Sequence, residues 1–277
     1  MKDSQTELLD QAALAEQPSR WAAFAAAVQF LTRIPLPAGS HASPAALRRC
    51  PVYFPLVGAL IGVVTTVVVG ATSLVWPVWL AVLIALAVEA RLTGALHEDA
   101  VADFCDAFGG GWTRDDVLTI LKDSRIGTYG ALGLGLAVTL RAGATFEIVH
   151  RAGQENWLVW SSALVASCAV GRWVVVLVMV CAAPVARRES LSRDVGSQLT
   201  RGDLLVATLW TIPVVAFFAI HFPFQAAFAA TLLVPTVWWF LRLVQRRIGG
   251  ITGDCLGSIA YVSQVLVLLA AAARWPL

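Results

Sequence analysis

Residues 157–182 read WLVWSSALVASCAVGRWVVVLVMVCA, an apolar run that contains a single charged residue, Arg172. A helix needs about 20 mostly apolar residues to cross the hydrocarbon core of a bilayer. The run meets that length. It therefore predicts a transmembrane helix, and with it a membrane protein built from helices.

Apolar runs of similar length recur through the chain, at residues 52–76, 77–95, 127–149, 204–220, 224–241 and 255–273. The chain is 58% hydrophobic and 14% charged, with a mean hydropathy of +0.74, whereas soluble domains are about 25% charged. We predict an all-α fold, a polytopic integral membrane helical bundle with about seven transmembrane helices. Residues 1–20 are predicted to form a polar N-terminal tail and residues 21–277 a single membrane-embedded catalytic domain.

The first apolar segment, residues 21–34, ends at Pro35 after about 14 residues, which is too short for a span. We expect an interfacial or re-entrant helix there. The connections between the predicted spans alternate in length, which places all the long ones on one face. These long connections are residues 96–126, 184–203 and 242–254.

Most of the basic residues fall on the face of the long connections. They are Arg48, Arg49, Arg114, Lys122, Arg125, Arg187, Arg188, Arg193, Arg201, Arg242, Arg246 and Arg247. The positive-inside rule places this face in the cytoplasm. We expect a multi-pass protein of the bacterial inner (cytoplasmic) membrane, with its active-site loops facing the cytoplasm. The net charge of +2 is small and its basic residues form no continuous stripe, so we expect no nucleic-acid partner.

The first candidate functional residues lie in an acidic segment. Residues 93–106 read TGALHEDAVADFCD and lead into Gly109, Gly110 and Gly111. If the segment is helical, Asp99, Asp103 and Asp106 stand at i, i+4 and i+7, so that three carboxylates share one face. Like charges at this spacing repel each other, and a neutralising divalent cation such as Mg²⁺ or Mn²⁺ suits such a set of oxygen ligands.

The alternative for this segment is an ordinary solvated helix face, the usual explanation for a run of charges. His97 has three interpretations, as a metal ligand, a general base or an interfacial polar residue, and its position in the sequence does not choose between them.

Two further segments carry glycines and charges at the cytoplasmic start of a predicted span. Residues 121–130 read LKDSRIGTYG, and residues 249–258 read GGITGDCLGS. Lys122 and Arg125 could donate to a phosphate, while the glycines let backbone N–H groups approach an anion. Asp254 could complete a metal site. The alternatives are a positive-inside anchor for the first segment and a loop with a helix N-cap for the second.

Acids that bind a metal, set opposite bases and amides that bind phosphate, are what phosphoryl transfer requires, since its catalysis consists mainly of positioning and electrostatic stabilisation. The pairing predicts this reaction class. It does not identify the substrate.

At these residues the chain resembles the adenosylcobinamide-GDP ribazoletransferase family, also called cobalamin-5′-phosphate synthase. The family pattern G-x-L-H-x-D-G-x-A-D-x-x-D-x-x-G-G-G is similar to residues 94–111, K-D-S-R-x-G-x-x-G to residues 122–130, and G-G-x-T-G-D-x-L-G to residues 249–257. The early elements F-L-T-R-x-P and Y-F-P-x-x-G resemble residues 30–35 and 53–58.

The chain departs from the family pattern at three places. Ala100 replaces the glycine after H-x-D, a change that a helix tolerates well. Residues 186–192 read ARRESLS where the family usually shows A-R-P-E-G-L-G. Gln264 stands where a glutamate is common in the last span.

The resemblance implies a Mg²⁺-assisted reaction that joins adenosylcobinamide-GDP to α-ribazole or its 5′-phosphate and releases GMP. We expect Asp99, Asp103, Asp106 and Asp254 as metal ligands, and Asp123, His97, Lys122 and Arg125 as catalytic residues. The expected substrate-binding residues are Gly109, Gly110, Gly127, Gly130, Thr252, Gly253 and Arg187. The partners implied are these small molecules and the lipid bilayer, and the sequence is compatible with a homo-oligomer.

Two other functions also use charged residues on membrane helices. A CDP-alcohol-type phosphotransferase of lipid synthesis also holds metals with acids on membrane helices, but its pattern, D-x-x-D-G-x-x-A-R followed by G-x-x-x-D-x-x-x-D, fits no segment here. A transporter would carry charges at broken helices in mid-membrane. Arg141, Glu147 and Arg172 are the residues within predicted spans to inspect for that function.

Overall fold

The computed structural model of the protein describes residues 19–35, 43–185, 195 and 199–274. Across these ranges the chain is all-α, which confirms the predicted fold class. The helices are α1 (Arg20–Leu31), α2 (Pro44–Arg49), α3 (Phe54–Ser73), α4 (Val78–Thr93), α5 (Leu96–Gly110), α6 (Arg114–Ile120), α7 (Thr128–Ala152), α8 (Trp157–Cys181), α9 (Arg201–His221), α10 (Pro223–Ile248) and α11 (Gly253–Ala272). A short 3₁₀ helix, Cys50–Tyr53, joins α2 to α3.

Among the described residues, six helices are long and apolar enough to cross a membrane, and the bent pair of α4 and α5 gives up to seven spans. The prediction of about seven transmembrane helices is therefore confirmed. The prediction that residues 77–95 form a complete span is wrong, because α4 has only 16 residues. It continues after a bend of 89° into α5, which was expected to begin a loop.

The bend between α4 and α5 lies at Gly94 and Ala95, whose φ angles are both positive, at 72° and 57°. A glycine reaches this left-handed conformation without the steric cost that a Cβ brings, and it commonly ends a helix in this way. Ala95 extends the left-handed turn by a second residue. Two such residues in succession redirect the chain, so that α5 packs in the bundle against α7 and α11.

The central helix is α8, which packs against α3, α9 and α11. Small residues allow these helices to approach closely. A Cβ added at Gly62 of α3 would lie 2.7 Å from Cα of Val165, and one added at Gly171 of α8 would lie 2.6 Å from the backbone oxygen of Ala260. Such small-residue contacts are the usual way in which membrane helices pack, since lipid provides no hydrophobic driving force between them.

The outer part of the bundle is formed by α9 and α10. Only 17% and 22% of their span residues are buried, against 67% for α8 and α11. Helix α10 extends seven residues beyond the predicted end at residue 241. Its buried face continues at helical spacing through Phe240, Val244 and Ile248. It ends at Gly249, whose φ is 74°.

The N-terminal helix α1 is 12 residues long, shorter than a span. Phe30 at its end stacks on Phe54 at the start of α3, with ring centroids 5.5 Å apart. The expectation that this helix is interfacial or re-entrant stays a prediction.

Candidate active site

The acidic segment is helical, as the proposed stack of carboxylates requires. Asp99, Asp103 and Asp106 all lie on α5, and their spacing places them on one face. Asp99 is exposed, while Asp103 and Asp106 are half-buried. The opposite face packs into the bundle. The helix therefore presents its acids toward the loops at this end of the molecule.

The carboxylate of Asp106 is bound by two backbone amides at the start of α7. Gly127 N donates to Oδ2 at 2.7 Å and Gly130 N donates to Oδ1 at 2.8 Å. These are the amides that the sequence suggested for a substrate phosphate. The structure shows them binding a protein carboxylate, which the positive end of the helix dipole also favours. The acidic segment and the second motif are therefore joined directly.

Two glycines allow this close approach of α5 and α7. A Cβ added at Gly109 would lie 2.7 Å from Cγ of the Tyr129 ring. One added at Gly130 would lie 2.8 Å from the backbone oxygen of Ala102 and would also collide with Asp106. In the structure these glycines therefore permit helix packing, whereas Gly110, at the end of α5, is exposed.

Lys122, Asp123 and Arg125 lie in the loop between α6 and α7. The guanidinium of Arg125 donates from Nε to Oδ1 of Asp123 at 3.0 Å and from Nη2 to Oδ2 at 2.7 Å. The side-chain hydrogen bonds of Arg125, together with its backbone N–H, lower the pKa of Asp123 to about 2. A carboxylate with so low a pKa is a weak base, and the expected catalytic role of Asp123 stays a prediction.

The third motif forms the start of α11. Thr252 caps the helix, because its Oγ1 accepts from Cys255 N at 3.3 Å. Gly253 is the first residue of the helix, and Asp254 lies half-buried in its first turn. A Cβ added at Gly257 would lie 2.5 Å from Cβ of Ala100. This contact brings the first turns of α11, and Asp254 with them, against the first half of α5.

His97 does not share the face of the acids. It is buried, with only 4% of its surface exposed, and two residues of helix place it about 200° around the axis from Asp99. Its Nδ1 has no hydrogen-bond partner among the described residues. The structure therefore places His97 in the bundle interior, away from the acidic face, and its expected catalytic role stays a prediction. Arg187, expected in substrate binding, lies outside the described residues.

Charged residues inside the spans form a second polar group, which the motifs did not reveal. Nη2 of Arg141 in α7 lies 2.6 Å from Oε2 of Glu89 in α4, and its Nη1 lies 3.6 Å from Oε1 of Glu98 in α5. Thr65 of α3 donates to the same oxygen of Glu89 at 2.7 Å. The signal in the sequence was the presence of Glu89 and Arg141 within apolar runs, since a charge in a span needs a partner.

Comparisons with known proteins show the family to which the chain belongs. The family described as "Cobalamin-5-phosphate synthase" matches residues 23–272. The chain belongs to this family. The chain is 35% identical over 244 residues to "Adenosylcobinamide-GDP ribazoletransferase" of Ralstonia nicotianae, covering 87% of this chain and 91% of the relative. Proteins of the same name from Shewanella frigidimarina and Vibrio parahaemolyticus are 35% and 34% identical, each over 89% of this chain and over 94% and 90% of their own lengths. No solved structure matches.

The motifs that this chain shares with the family contact each other in the structure. The early F-L-T-R-x-P element reaches the bend before the acidic helix, since Arg33 N donates to Leu92 O at 2.7 Å and the Arg33 guanidinium packs on Gly94. Ala100, which replaces a glycine of the family pattern, places its methyl group against Gly257. Helix α5 thus contacts the other two site motifs, and the turn before it contacts the early one.

A site for Mg²⁺ was tested against these residues. Within the part of the chain that the structure describes, no three His, Cys, Asp or Glu side chains are close enough together to hold a metal. Mg²⁺, however, retains several waters and needs only one or two protein carboxylates together with substrate phosphates. The carboxylates of Asp99 and Asp103, one helical turn apart, meet that requirement in number and in chemistry.

Proposed function

We propose that the protein joins adenosylcobinamide-GDP to α-ribazole or α-ribazole 5′-phosphate and releases GMP, forming adenosylcobalamin or its 5′-phosphate. One observation carries this proposal: Asp106 binds the amides of Gly127 and Gly130, so the acidic motif and the Lys122–Gly130 motif form one unit. Acids for a metal and cations for a phosphate then lie at the same end of the bundle. This is the combination that transfer of a phosphoryl group requires.

The reaction breaks a phosphoanhydride bond and forms a phosphodiester bond. A hydroxyl oxygen of the ribazole attacks the phosphorus that is linked to the corrinoid, a new P–O bond forms, and the bond to the GMP oxygen breaks. The hydroxyl proton passes to water as the bond forms, and GMP leaves with the electron pair of the broken bond. Because negative charge increases on the transferred phosphate and the leaving group, cations held in place lower the barrier.

Each motif has a distinct role in this proposal. Asp99 and Asp103 would hold Mg²⁺, which would supply positive charge against the phosphate oxygens when bound. Lys122 and Arg125 lie exposed in the adjoining loop and can donate charge-assisted hydrogen bonds to the diphosphate. The guanidinium of Arg125 has five N–H donors, and its pairing with Asp123 uses Nε and Nη2, so donors remain for a phosphate.

Asp106 has a different role from the other acids. Both of its oxygens accept amide hydrogen bonds, so we assign it to holding the start of α7 against α5. Gly127 and Gly130 then serve substrate binding indirectly, by fixing the loop that carries Arg125.

We also propose that the protein lies in the bacterial inner membrane with this site in the cytoplasm. The support is the concentration of basic residues in the connections beside the site, following the positive-inside rule. Two of these basic residues bind backbone oxygens. Nε of Arg114 donates to Ile248 O at 3.0 Å, and Nη2 of Arg247 donates to Gly111 O. They thereby link α6, α10 and the end of α5 on the same face.

The decisive experiment uses purified protein in lipid nanodiscs with Mg²⁺, adenosylcobinamide-GDP and α-ribazole. GMP release together with formation of a cobamide supports the proposal. A preparation that is folded and yet yields neither product contradicts it. Replacing α-ribazole by its 5′-phosphate in a parallel reaction identifies the acceptor that this chain prefers.

A further inference from the structure

Arg141 lies at the inner side of the bend between α4 and α5 and contacts both helices. We propose that Arg141 is a positioning residue, a clamp that fixes the angle between these helices and so the orientation of the acidic face of α5. This inference rests on the proposed function for its catalytic consequence. Its structural part can be measured without activity.

The clamp is visible in the placement of its two carboxylates. Glu89 precedes the left-handed residues Gly94 and Ala95, and Glu98 follows them. A single guanidinium reaches both, with Nη2 at 2.6 Å from Glu89 and Nη1 at 3.6 Å from Glu98. The two arms of the 89° bend are therefore connected through one side chain as well as through the backbone.

The bend needs such a connection, because its backbone offers few constraints. Two successive left-handed residues interrupt the helical hydrogen-bond ladder: Gly94 N and Ala95 N both donate to Ala90 O, and the ladder of α5 starts again with Asp99 N donating to Ala95 O at 2.9 Å. Hinges in proteins are formed by a few residues of this kind, which absorb large changes in φ and ψ.

Burial makes the clamp strong. The side chains of Arg141 and Glu89 are each 3% exposed, and that of Glu98 is 16% exposed. A buried charge that loses its partner is strongly unfavourable, so each arm is held by the requirement of Arg141 for a counter-charge. Arg141 also lies over the ring of Tyr261, with its Cζ 5.3 Å from the centroid.

The clamp connects the elements that carry the proposed site. Glu98 is next in sequence to Asp99, so the position of one sets the position of the other. Tyr261 belongs to α11, whose first turn holds Asp254. Thr65 of α3 donates to Glu89 and ties the clamp to the central bundle. A change at Arg141 should therefore move the acidic face relative to α11, although Arg141 itself is buried beneath the site.

The angle of the bend can be measured with a pair of spin labels. Leu83 on α4 is 44% exposed and Trp112, just after α5, is 90% exposed. Both can be replaced by cysteine for labelling, in a chain where the exposed Cys181 is replaced by serine. The distance distribution between the labels in nanodiscs reports the angle between the two helices.

Three variants and one control are needed. Arg141→Met removes the clamp, Arg141→Lys keeps the charge without the forked geometry, and Glu98→Gln releases only the α5 arm, which keeps the test available should Arg141→Met fail to fold. The control is Glu147→Gln, on the same helix α7, because Glu147 pairs with Arg274 at 2.8 Å away from the bend.

We expect Arg141→Met to widen or shift the label distance and to lower kcat about 100-fold, the typical cost of an ångström-scale misplacement. KM should change less than kcat, and the Mg²⁺ concentration for half-maximal rate should rise. Arg141→Lys and Glu98→Gln should give smaller changes of the same kind, while Glu147→Gln should leave both readouts unchanged.

An unchanged label distance in folded Arg141→Met or Glu98→Gln overturns the clamp. A changed distance with unaltered kcat and Mg²⁺ dependence overturns its positioning role. If the wild-type chain releases no GMP from adenosylcobinamide-GDP, the proposed function fails, and the label distances alone then support or overturn the clamp.

Discussion

Nη1 of Arg172 donates a hydrogen bond of 2.7 Å to the side-chain oxygen of Gln264, and both residues are buried at the contact of α8 with α11. The amide nitrogen of Gln264 lies 3.0 Å from Sγ of Cys168. Gln264 is the position at which the family often has an acid. In this chain the neutral amide accepts from Nη1 of Arg172, whose Nε has no hydrogen-bond partner among the described residues, and it lies in the bundle interior, not on the acidic face.

Replacing Gln264 by leucine should destabilise the protein. The substitution removes the acceptor for Arg172 and leaves a buried charged donor unsatisfied, at a cost of about 1–3 kcal/mol or more. Thermal unfolding in detergent, followed by tryptophan fluorescence, measures the loss. Gln264→Glu retains an acceptor and adds a counter-charge, so we expect it to be at least as stable as the wild type. Equal loss in both variants would contradict this account.

Asp103 and Asp106 should respond differently to added Mg²⁺. Asp103→Asn removes a proposed metal ligand, so activity should fall and recover in part as Mg²⁺ is raised. Asp106→Asn weakens the acceptor for the amides of Gly127 and Gly130, so its activity should fall without recovery. Rates measured across a Mg²⁺ titration separate the two cases.

The stability of the same variants provides the control for that comparison. Asp106→Asn should unfold at lower temperature, because a charged acceptor of two amides is lost, at about 1.5–3 kcal/mol per hydrogen bond to a charged group. The unfolding temperature of Asp103→Asn, measured beside it, shows whether its loss of activity has a folding component. A Mg²⁺ requirement that is unaltered in Asp103→Asn would show that its carboxylate is not a metal ligand.

The pH dependence of the rate should not report Asp123. The pKa of this carboxyl lies near 2 because of Arg125, so the ion pair is fully formed above the ordinary aspartate pKa and is lost only as the pH falls through about 2. Between about pH 5 and 9, Asp123 stays ionised. We expect Asp123→Asn to lower the pH–rate profile without moving its limbs. The disappearance of the acid limb in this variant would instead identify Asp123 as the base.

The spans were predictable because they depend on composition and length. The run at residues 157–182 became α8, Trp157–Cys181, within one residue at its end. The acidic face was predictable as well, since the spacing of Asp99, Asp103 and Asp106 has meaning only in a helix. Both inferences use local features, apolar composition over a window and the spacing of residues along a helix, which the sequence displays directly.

The bend and the buried ion pairs could not be predicted in the same way. Gly94 signals the end of a helix, but the positive φ of Ala95 depends on the packing of α5 in the bundle. The pairing of Glu89 with Arg141 joins residues 52 positions apart, and only the three-dimensional arrangement of α4 and α7 brings them together. The hydrogen bonds from the amides of Gly127 and Gly130 to Asp106 could not be predicted either. Glycine amides next to cationic side chains can bind a substrate phosphate as readily as a protein carboxylate.

Gly130 and Gly135 on α7 provide a matched pair that tests the contact between α5 and α7. A Cβ at Gly130 would collide with Asp106 and lie 2.8 Å from Ala102 O, whereas a Cβ at Gly135 would meet nothing within 4 Å. Because a backbone oxygen cannot move alone, Gly130→Ala must separate the two helices, at a cost of about 1–3 kcal/mol for overpacking.

Gly130→Ala should therefore lower both the unfolding temperature and the rate of GMP release, while Gly135→Ala should leave the rate unchanged. Alanine has a higher helix propensity than glycine by up to about 1 kcal/mol, so Gly135→Ala should be as stable as the wild type or slightly more so. Both quantities can be measured on the same nanodisc preparations. If Gly130→Ala retains full stability and activity, then α5 and α7 do not approach as closely as the hydrogen bonds of Asp106 require, and the joining of the two motifs would have to be abandoned.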